Sequence, residues 1–478
     1  MTLDQEVADA IDMAFVLICG FLCFLLQAGF GLLEVGSVRK KNAQNIMMKN
    51  ILDAVVTAIA YFAFGYAFAY GESENGFIGN SYYFLIGTED YINWFFQYVF
   101  AGTVATIVSG AVAERLRFRS YLVYSFVLSG FVYPVVCHWI WDPNGFLYGK
   151  VLDFSGSGAV HLVGGAAAMS GAWVLGPRIG KFIVDPETGK KTPRDIPGWN
   201  KVLASLGTLI LWFGFFPFNA GAGYSIANPE AAVNTGRAVV VTCLAGASGS
   251  LTMLLYGIVR FRQWDLNLAM NGLLAGMVAS CSGVNVYEPY IALTCVGTLG
   301  AVFFQVQDYL FEYVLFIDDP LKASSLHMGA GVAGLLCVGF FADPKYVDND
   351  ENVMGIVFGG NGQQLGFQLY GMVVYFAWAF GTSTIMFWGL RLIGWLRVSE
   401  EVEKIGLDSH HHGGSALPRM SRSFQRKDTS LSEASNLESA TGAAHDFDSL
   451  EEGDISAAAV KRSSHFRQRP NALLAGQV

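Results

Sequence analysis

About eleven apolar runs, each long enough to cross a bilayer as a helix, decide what this chain can fold into. Their approximate centres are residues 22, 60, 104, 130, 166, 211, 246, 276, 297, 333 and 380. The eighth and ninth, either side of Val284–Pro289, are the least cleanly divided. Hydrophobic residues make up 53% of the 478 positions and charged residues 14%, where a soluble domain carries roughly a quarter. The pattern predicts an all-α polytopic membrane protein. Its 55 glycines suit close helix packing through small-residue contacts. The acidic start, Met1 to Asp12, lacks the basic region of a cleaved signal, so the first run reads as a retained span.

Charge excludes some functions. The net −9 is confined to loops and the C-terminal stretch, and no basic face offers itself to nucleic acid. The seven cysteines all fall in apolar runs and read as buried thiols; no paired CxxC suggests metal or redox work. Neither a potassium-filter sequence nor a Walker A or dinucleotide loop is present, and no nucleophile–base set points to an enzyme. No cofactor or metal is expected. Lys and Arg mark alternate loops: Arg39-Lys40-Lys41, Arg115 to Arg119, Arg178 to Arg194, Arg260 and Arg262, Lys322, Arg391 and Arg397. By the positive-inside rule these loops are cytoplasmic. An odd number of spans then places the N-terminus outside and the C-terminus in the cytoplasm.

Two runs repeat one design. Asp153 precedes His161 by eight residues, Asp319 precedes His327 by eight, and Gly and Ala follow each histidine. The spacing is about 12 Å of helix, which puts each histidine near mid-bilayer. Ionisable groups at that depth are functional candidates by default. Five crossings separate the pair, so the runs enter from opposite sides. That predicts an inverted repeat of spans 1–5 and 6–10, with span 11 outside it and the site near the midplane. Two histidines meeting there can share a proton and line a path; the alternative is two structural histidines on helix carbonyls. Asp153 and Asp319 read most simply as helix N-caps, with Pro320 at a first helical position, and Asp153 also as support for a cation at the outer mouth. Phe100, Trp139, Trp141, Phe213, Phe215, Phe216 and Phe218 suit packing or an interfacial belt, and Trp141 also suits a cation–π cage. A path of Phe, Gly and neutral His holds an ion poorly but passes a small neutral molecule. Glu34 and Asp53, near the basic stretch Arg39–Lys49, and Glu114, beside Arg115, read as structural.

The run from Asp153 through His161 to Arg178-Ile-Gly-Lys181-Phe resembles the signature of the Amt/Mep/Rh ammonium transporters, nearer the plant- and alga-like Amt branch than the Rh branch. Gly31-Leu-Leu-Glu-Val-Gly-Ser-Val-Arg39-Lys-Lys-Asn42, Gly110-Ala-Val-Ala-Glu-Arg115, His138-Trp-Ile-Trp141, Pro217-Phe-Asn-Ala-Gly221, Asn271-Gly-Leu-Leu-Ala-Gly276 and Asp318-Asp-Pro320 support it. The resemblance spans roughly residues 10–415. It implies eleven transmembrane helices, a homotrimer in the plasma membrane with one pore per subunit, and ammonium or ammonia as substrate, with methylammonium as analogue. By position it makes His161 and His327 the pore and proton-relay pair and Phe100 and Phe218 a phenyl gate. Trp141, Phe215 and Asp153 become the outer ammonium recruitment site. Where the family usually has a serine beyond the gate, this chain has Ala222, with Tyr224 or Ser225 nearby to take its place. His410 stands where plant-like members carry a phosphorylatable threonine, which makes Ser409 the candidate phosphosite. An ammonium sensor signalling through the tail and a neutral ammonia channel of the Rh type are the alternatives. The domain division is a transmembrane domain over 1–400 and a cytosolic regulatory tail over 401–478, largely disordered after about 415.

Overall fold

The computed structural model describes residues 5–414. Eleven apolar helices carry the fold: α1 (Gln5–Ser37), α2 (Lys40–Tyr70), α3 (Tyr91–Val112), α4 (Phe118–Trp141), α5 (Ser157–Leu175), α6 (Lys201–Gly221), α7 (Pro229–Phe261), α8 (Leu266–Ser280), α9 (Pro289–Leu315), α10 (Ser325–Phe341) and α11 (Gln363–Leu392). Among the described residues nine of these are long and apolar enough to cross a membrane, and α8 and α10 are shorter apolar helices. Two short helices follow, α12 (Glu400–Ile405) and α13 (Leu407–His411). The loop after α5 carries the hairpin β1 (Phe182–Val184) and β2 (Lys191–Pro193), antiparallel with Phe182 opposite Pro193. The tail beyond 414 lies outside the described residues.

Burial sorts the helices. α3 and α5 are apolar all round and enclosed on almost every side, as an interior helix must be. α1 lies along α6, α7 along α8, and α3 between α1 and α5. The outward faces are apolar too: Leu255 is 62% exposed, Val373 66% and Ile385 76%. That surface is built for lipid or for other subunits, not for water.

α5 and α10 begin alike. Each opens with a wide π-type turn, Ser157–Leu162 and Ser325–Gly329, and each turn holds a histidine. The Asp153 carboxylate accepts the N–H groups of Gly158 (3.0 Å) and Ala159 (2.7 Å). Asp319 accepts that of Ser324 (2.7 Å), the same offset of five residues. Both aspartates therefore satisfy first-turn donors from a distance rather than from the N-cap position. Pro320 is not a first helical residue: it sits in a turn that ends at Lys322, whose N–H reaches the Asp319 carbonyl with φ 57°.

Glycine sets how closely α5 and α10 cross. A Cβ on Gly165 would stand 2.4 Å from the Met328 nitrogen, and one on Gly331 would stand 2.5 Å from the Ser157 carbonyl oxygen. The two backbones touch where no side chain fits.

One face of the bundle is tied by ions. Arg178 grips Asp318 through Nε (2.9 Å) and Nη2 (3.0 Å) and reaches Glu114 (3.2 Å), which also takes Arg39 Nε (2.8 Å). Burial opposes charge on Glu114, but Arg178 and Arg39 outweigh it and hold the carboxyl below its usual range. Arg115, expected beside Glu114, instead donates to the carbonyls of Gly176, Ala111, Ala113 and Asp318.

Candidate functional site

Two cavities approach the middle of the bundle from opposite ends. The first, about 210 Å³, is lined by Phe96, Gln97, Phe100, Trp141, Ala222 and Tyr224 among others. The second, about 270 Å³, is lined by Phe30, Glu34, Thr106, Leu211, Phe215 and His327 among others, and Lys201 and Lys322 lie at its rim.

Stacked rings close the way between them. Phe100 on α3 and Phe218 on α6 lie face to face, centroids 3.9 Å apart and planes 13° apart. Trp141 meets the edge of Phe100 at 6.1 Å and 89°. Its indole N–H donates to the Asp153 carbonyl (3.0 Å), which fixes the ring at the cavity wall. Beyond the stack lies His161, 5.9 Å from Phe218 and nearly parallel to Phe215 at 5.6 Å.

The histidines are joined. His161 Nδ1 and His327 Nδ1 are 3.1 Å apart, with their rings 15° from parallel. Nδ1 to Nδ1 requires one donor and one acceptor, so neutral rings must be opposite tautomers. One ring then presents Nε2 as an acceptor and the other presents Nε2–H as a donor. The Cys281 thiol lies 3.7 Å from His161 Nε2.

A run of hydrogen bonds flanks the first cavity. Tyr133 O–H donates to Gln97 Oε1 (3.2 Å) and Gln97 Nε2–H to Tyr224 Oη (2.8 Å). Tyr224 O–H donates to Asn93 Oδ1 (2.8 Å), and Asn93 Nδ2–H to Asp90 (3.1 Å). Tyr224 oxygen gives one bond and takes one, which leaves a lone pair free.

The chain belongs to the Ammonium Transporter Family. The model of that family matches residues 14–417. Ammonium transporter 3 of Dictyostelium discoideum is 38% identical over 409 residues, covering 85% of this chain and 94% of the relative. Ammonium transporter 1 member 3 of Solanum lycopersicum is 40% identical over 441 residues, covering 86% and 94%. Among solved structures, one titled "Sensor Amt Protein" superposes with a TM-score of 0.78 at 32% identity over 86% of this chain and all of that one. Candida albicans Mep2 superposes at 0.71 and 27% identity, covering 84% of this chain and 89% of that one.

The residues singled out for a transporter of this family fall as follows. His161, His327, Phe100, Phe218 and Trp141 lie within one continuous set of ring contacts. Phe215 does not reach the first cavity, where the recruitment site was expected. α6 runs from the second cavity to the first, and Phe215, three residues before Phe218, is about 4.5 Å short of it. Asp153 is 3% exposed and lines neither cavity; its carbonyl holds Trp141 and its carboxylate holds α5. Ser225 is turned away onto Asp12 (2.9 Å), while Tyr224 lines the first cavity. Ser409 is exposed on α13. Sequence reasoning missed Phe96 and Gln97, four and three residues before Phe100, although that spacing alone puts all three on one helix face. It read Glu34 and Asp53 as structural, near the basic stretch. Both are bonded to hydroxyls and Glu34 also to an amide, and neither is paired with the basic stretch.

Proposed function

We propose that this chain is an ammonium transporter that strips its substrate of a proton before passage. One observation carries the reading: a closed phenyl stack stands between an aromatic cavity and a buried, directly bonded histidine pair. Ammonium settles in the first cavity against the faces of Trp141 and Phe96, and one of its N–H groups takes the free lone pair of Tyr224 in place of the family's serine hydroxyl. Immediately behind the stack the histidines are packed among Phe30, Phe215 and Phe218, so a full charge is costly there and the neutral amine is favoured. Ring fluctuation of Phe100 and Phe218 admits ammonia to the pair. His161 and His327 guide it by one acceptor and one donor and hand the proton along their shared bond.

The rest of the proposal builds on the fold and the family. α8 and α10 are short by themselves; buried chain continues beyond the C-terminal end of α8 and at both ends of α10, and together they complete eleven crossings. The matching aspartate offsets, π-type turns and touching glycines of α5 and α10 support an inverted repeat of spans 1–5 and 6–10. The domain is residues 1–400, set in the plasma membrane bilayer as a homotrimer with the N-terminus outside. The first cavity is then the outer one and the second the cytoplasmic one, with residues 401–478 as a cytosolic tail and Ser409 as its phosphosite. The work is transport rather than enzymatic chemistry. Sensing is not favoured, since the curated relatives are named transporters.

Labelled methylammonium uptake in cells lacking their own ammonium transporters is the test. Wild type is expected to restore saturable uptake; wild type at the surface without uptake overturns the reading. His161→Ala is expected to change ammonium-evoked current or selectivity at least tenfold while assembling normally. A variant that only fails to assemble would make the pair structural.

A further inference from the structure

Two carboxyl side chains inside the bundle serve no step described so far. Glu34 on α1 is 2% exposed and Asp53 on α2 is fully buried. Neither has an ion-pair partner among the described residues. Lys49, the nearest cation in sequence to Asp53, donates to the Leu116 carbonyl at 3.3 Å.

Counting hydrogens shows what these groups need. Glu34 Oε2 accepts from Asn50 Nδ2 (2.6 Å), and Oε1 touches the Ser109 hydroxyl. That hydroxyl also lies 2.8 Å from the Thr106 carbonyl oxygen. Ser109 has one hydrogen for two acceptors if Glu34 is ionised. A protonated Glu34 donates to Ser109, and Ser109 donates to Thr106, so every group is satisfied. When the proton leaves, the hydroxyl turns back to the carboxylate. Both states keep the same heavy-atom positions. Thr106 repeats the arrangement: its one hydroxyl hydrogen faces Asp53 Oδ2 (2.5 Å), Gln27 Oε1 (3.0 Å) and the Gly102 carbonyl (2.9 Å).

Position gives this its use. Glu34 lines the second cavity, and so does His327. Phe30, one turn or about 6 Å along α1 from Glu34, lies 6.2 Å from the His327 ring. The cavity of about 270 Å³ has room for several waters between them. We infer that Glu34 is the proton acceptor on the cytoplasmic side of the histidine pair. Resting on the transport reading above, the step balances. Ammonium yields ammonia and one proton, which the pair carries. Glu34 first gives its own proton to cytosolic water, and the N–H bond at His327 then breaks as an O–H bond forms on the carboxylate by way of cavity water. That restores the protonated starting state of Glu34, with one proton delivered to the cytosol for each ammonia. Around it stand Lys49 and Asp53 from α2 and the buried Tyr121 and Tyr124 from α4. Asp195, Lys201, Asp265 and Lys322 ring the cavity mouth.

The test is Glu34→Gln in the full chain reconstituted into liposomes, reading ammonium-evoked current against the pH of the cytoplasmic side. Glutamine keeps the shape of the acid and both hydrogen bonds, accepting from Asn50 and donating to Ser109. Current is expected to fall at least tenfold and to lose its dependence on cytoplasmic-side pH, with melting temperature unchanged and Glu34→Asp retaining at least a third of the current. Glu34→Gln current within twofold of wild type, with the same pH profile, overturns the inference. Should Glu34→Gln fail to fold, Ser109→Ala removes the hydroxyl that lets the acid exchange its proton. A threefold or larger loss of current then supports the inference, and unchanged current overturns it. Wild type that takes up ammonia without current overturns this inference and leaves the transport reading standing. Wild type with no uptake at all removes the transport reading itself.

Discussion

Tyr224 holds a left-handed backbone conformation, φ 55°, just past the end of α6. That strain turns its ring across the first cavity, where Gln97 and Asn93 clamp the hydroxyl. The polar half of substrate recognition then rests on a phenol rather than on the position filled by Ala222. Tyr224→Phe keeps the ring and removes the oxygen. It is expected to cost about 1 kcal/mol of binding, raising the half-saturation for methylammonium about fivefold. Adding Ala222→Ser to Tyr224→Phe is expected to recover most of that loss. Unchanged half-saturation in the single variant would return the role to the aromatics. At this scale the sequence disclosed whatever was repeated or periodic. The histidines stood out because Asp-x7-His occurs twice. Phe215 was misplaced because three residues of helix change depth by about 4.5 Å, which the motif order does not reveal. The role of Asp153 was divided because its carbonyl and its carboxylate do different work, and a residue name cannot separate them. Glu34 was read as structural because a lone carboxyl near a basic stretch does not reveal, in sequence, which hydroxyls and which cavity it meets.

α5 and α10 hold the histidines in register by backbone contact, at Gly165 against Met328 and Gly331 against Ser157. Neither glycine is among the residues lining the two cavities. Gly165→Val and Gly331→Val must therefore push the helices apart, and the 3.1 Å bond between the imidazoles is the first thing lost. Uptake is expected to fall at least tenfold in each, at surface levels within twofold of wild type. Retained uptake in both would mean that the pair tolerates separation. The helices themselves were legible because about twenty apolar residues in a row have few other folds. Their internal turns were not. A π-type turn adds one residue without changing composition, so hydrophobic runs carry no trace of it. The same holds for the Asp319–Lys322 turn, where Asp-Pro reads as a helix start and the chain instead waits until Ser324 to meet the carboxylate.

Across the whole molecule, the described part of the C-terminal segment behaves as a strap. The Asp408 carboxylate accepts the N–H groups of Gln44 (3.1 Å) and Asn45 (2.8 Å) in the first turns of α2. Asn42 Oδ1 takes the Leu407 N–H (2.9 Å), and Lys41 donates to the carbonyls of Glu403 (2.7 Å) and Lys404 (2.6 Å). Glu403 in turn accepts the Ile179 N–H (2.7 Å) and Arg397 (2.9 Å). The strap thus joins α2 to the loop after α5, two parts of the bundle that border the second cavity's helices. Its anchor is a carboxylate at a helix N-terminus, an arrangement worth about 1–2 kcal/mol. Asp408→Ala is expected to release it, raising amide exchange over Glu400–His412 by about five- to thirtyfold and changing uptake at least threefold. A phosphate on Ser409 would add a second anion beside Asp408, where one helix end already has its partner and like charges repel. Ser409→Glu should therefore reproduce the Asp408→Ala exchange pattern in direction. If Ser409→Glu leaves exchange over the strap unchanged while Asp408→Ala raises it, the strap is real but Ser409 does not control it.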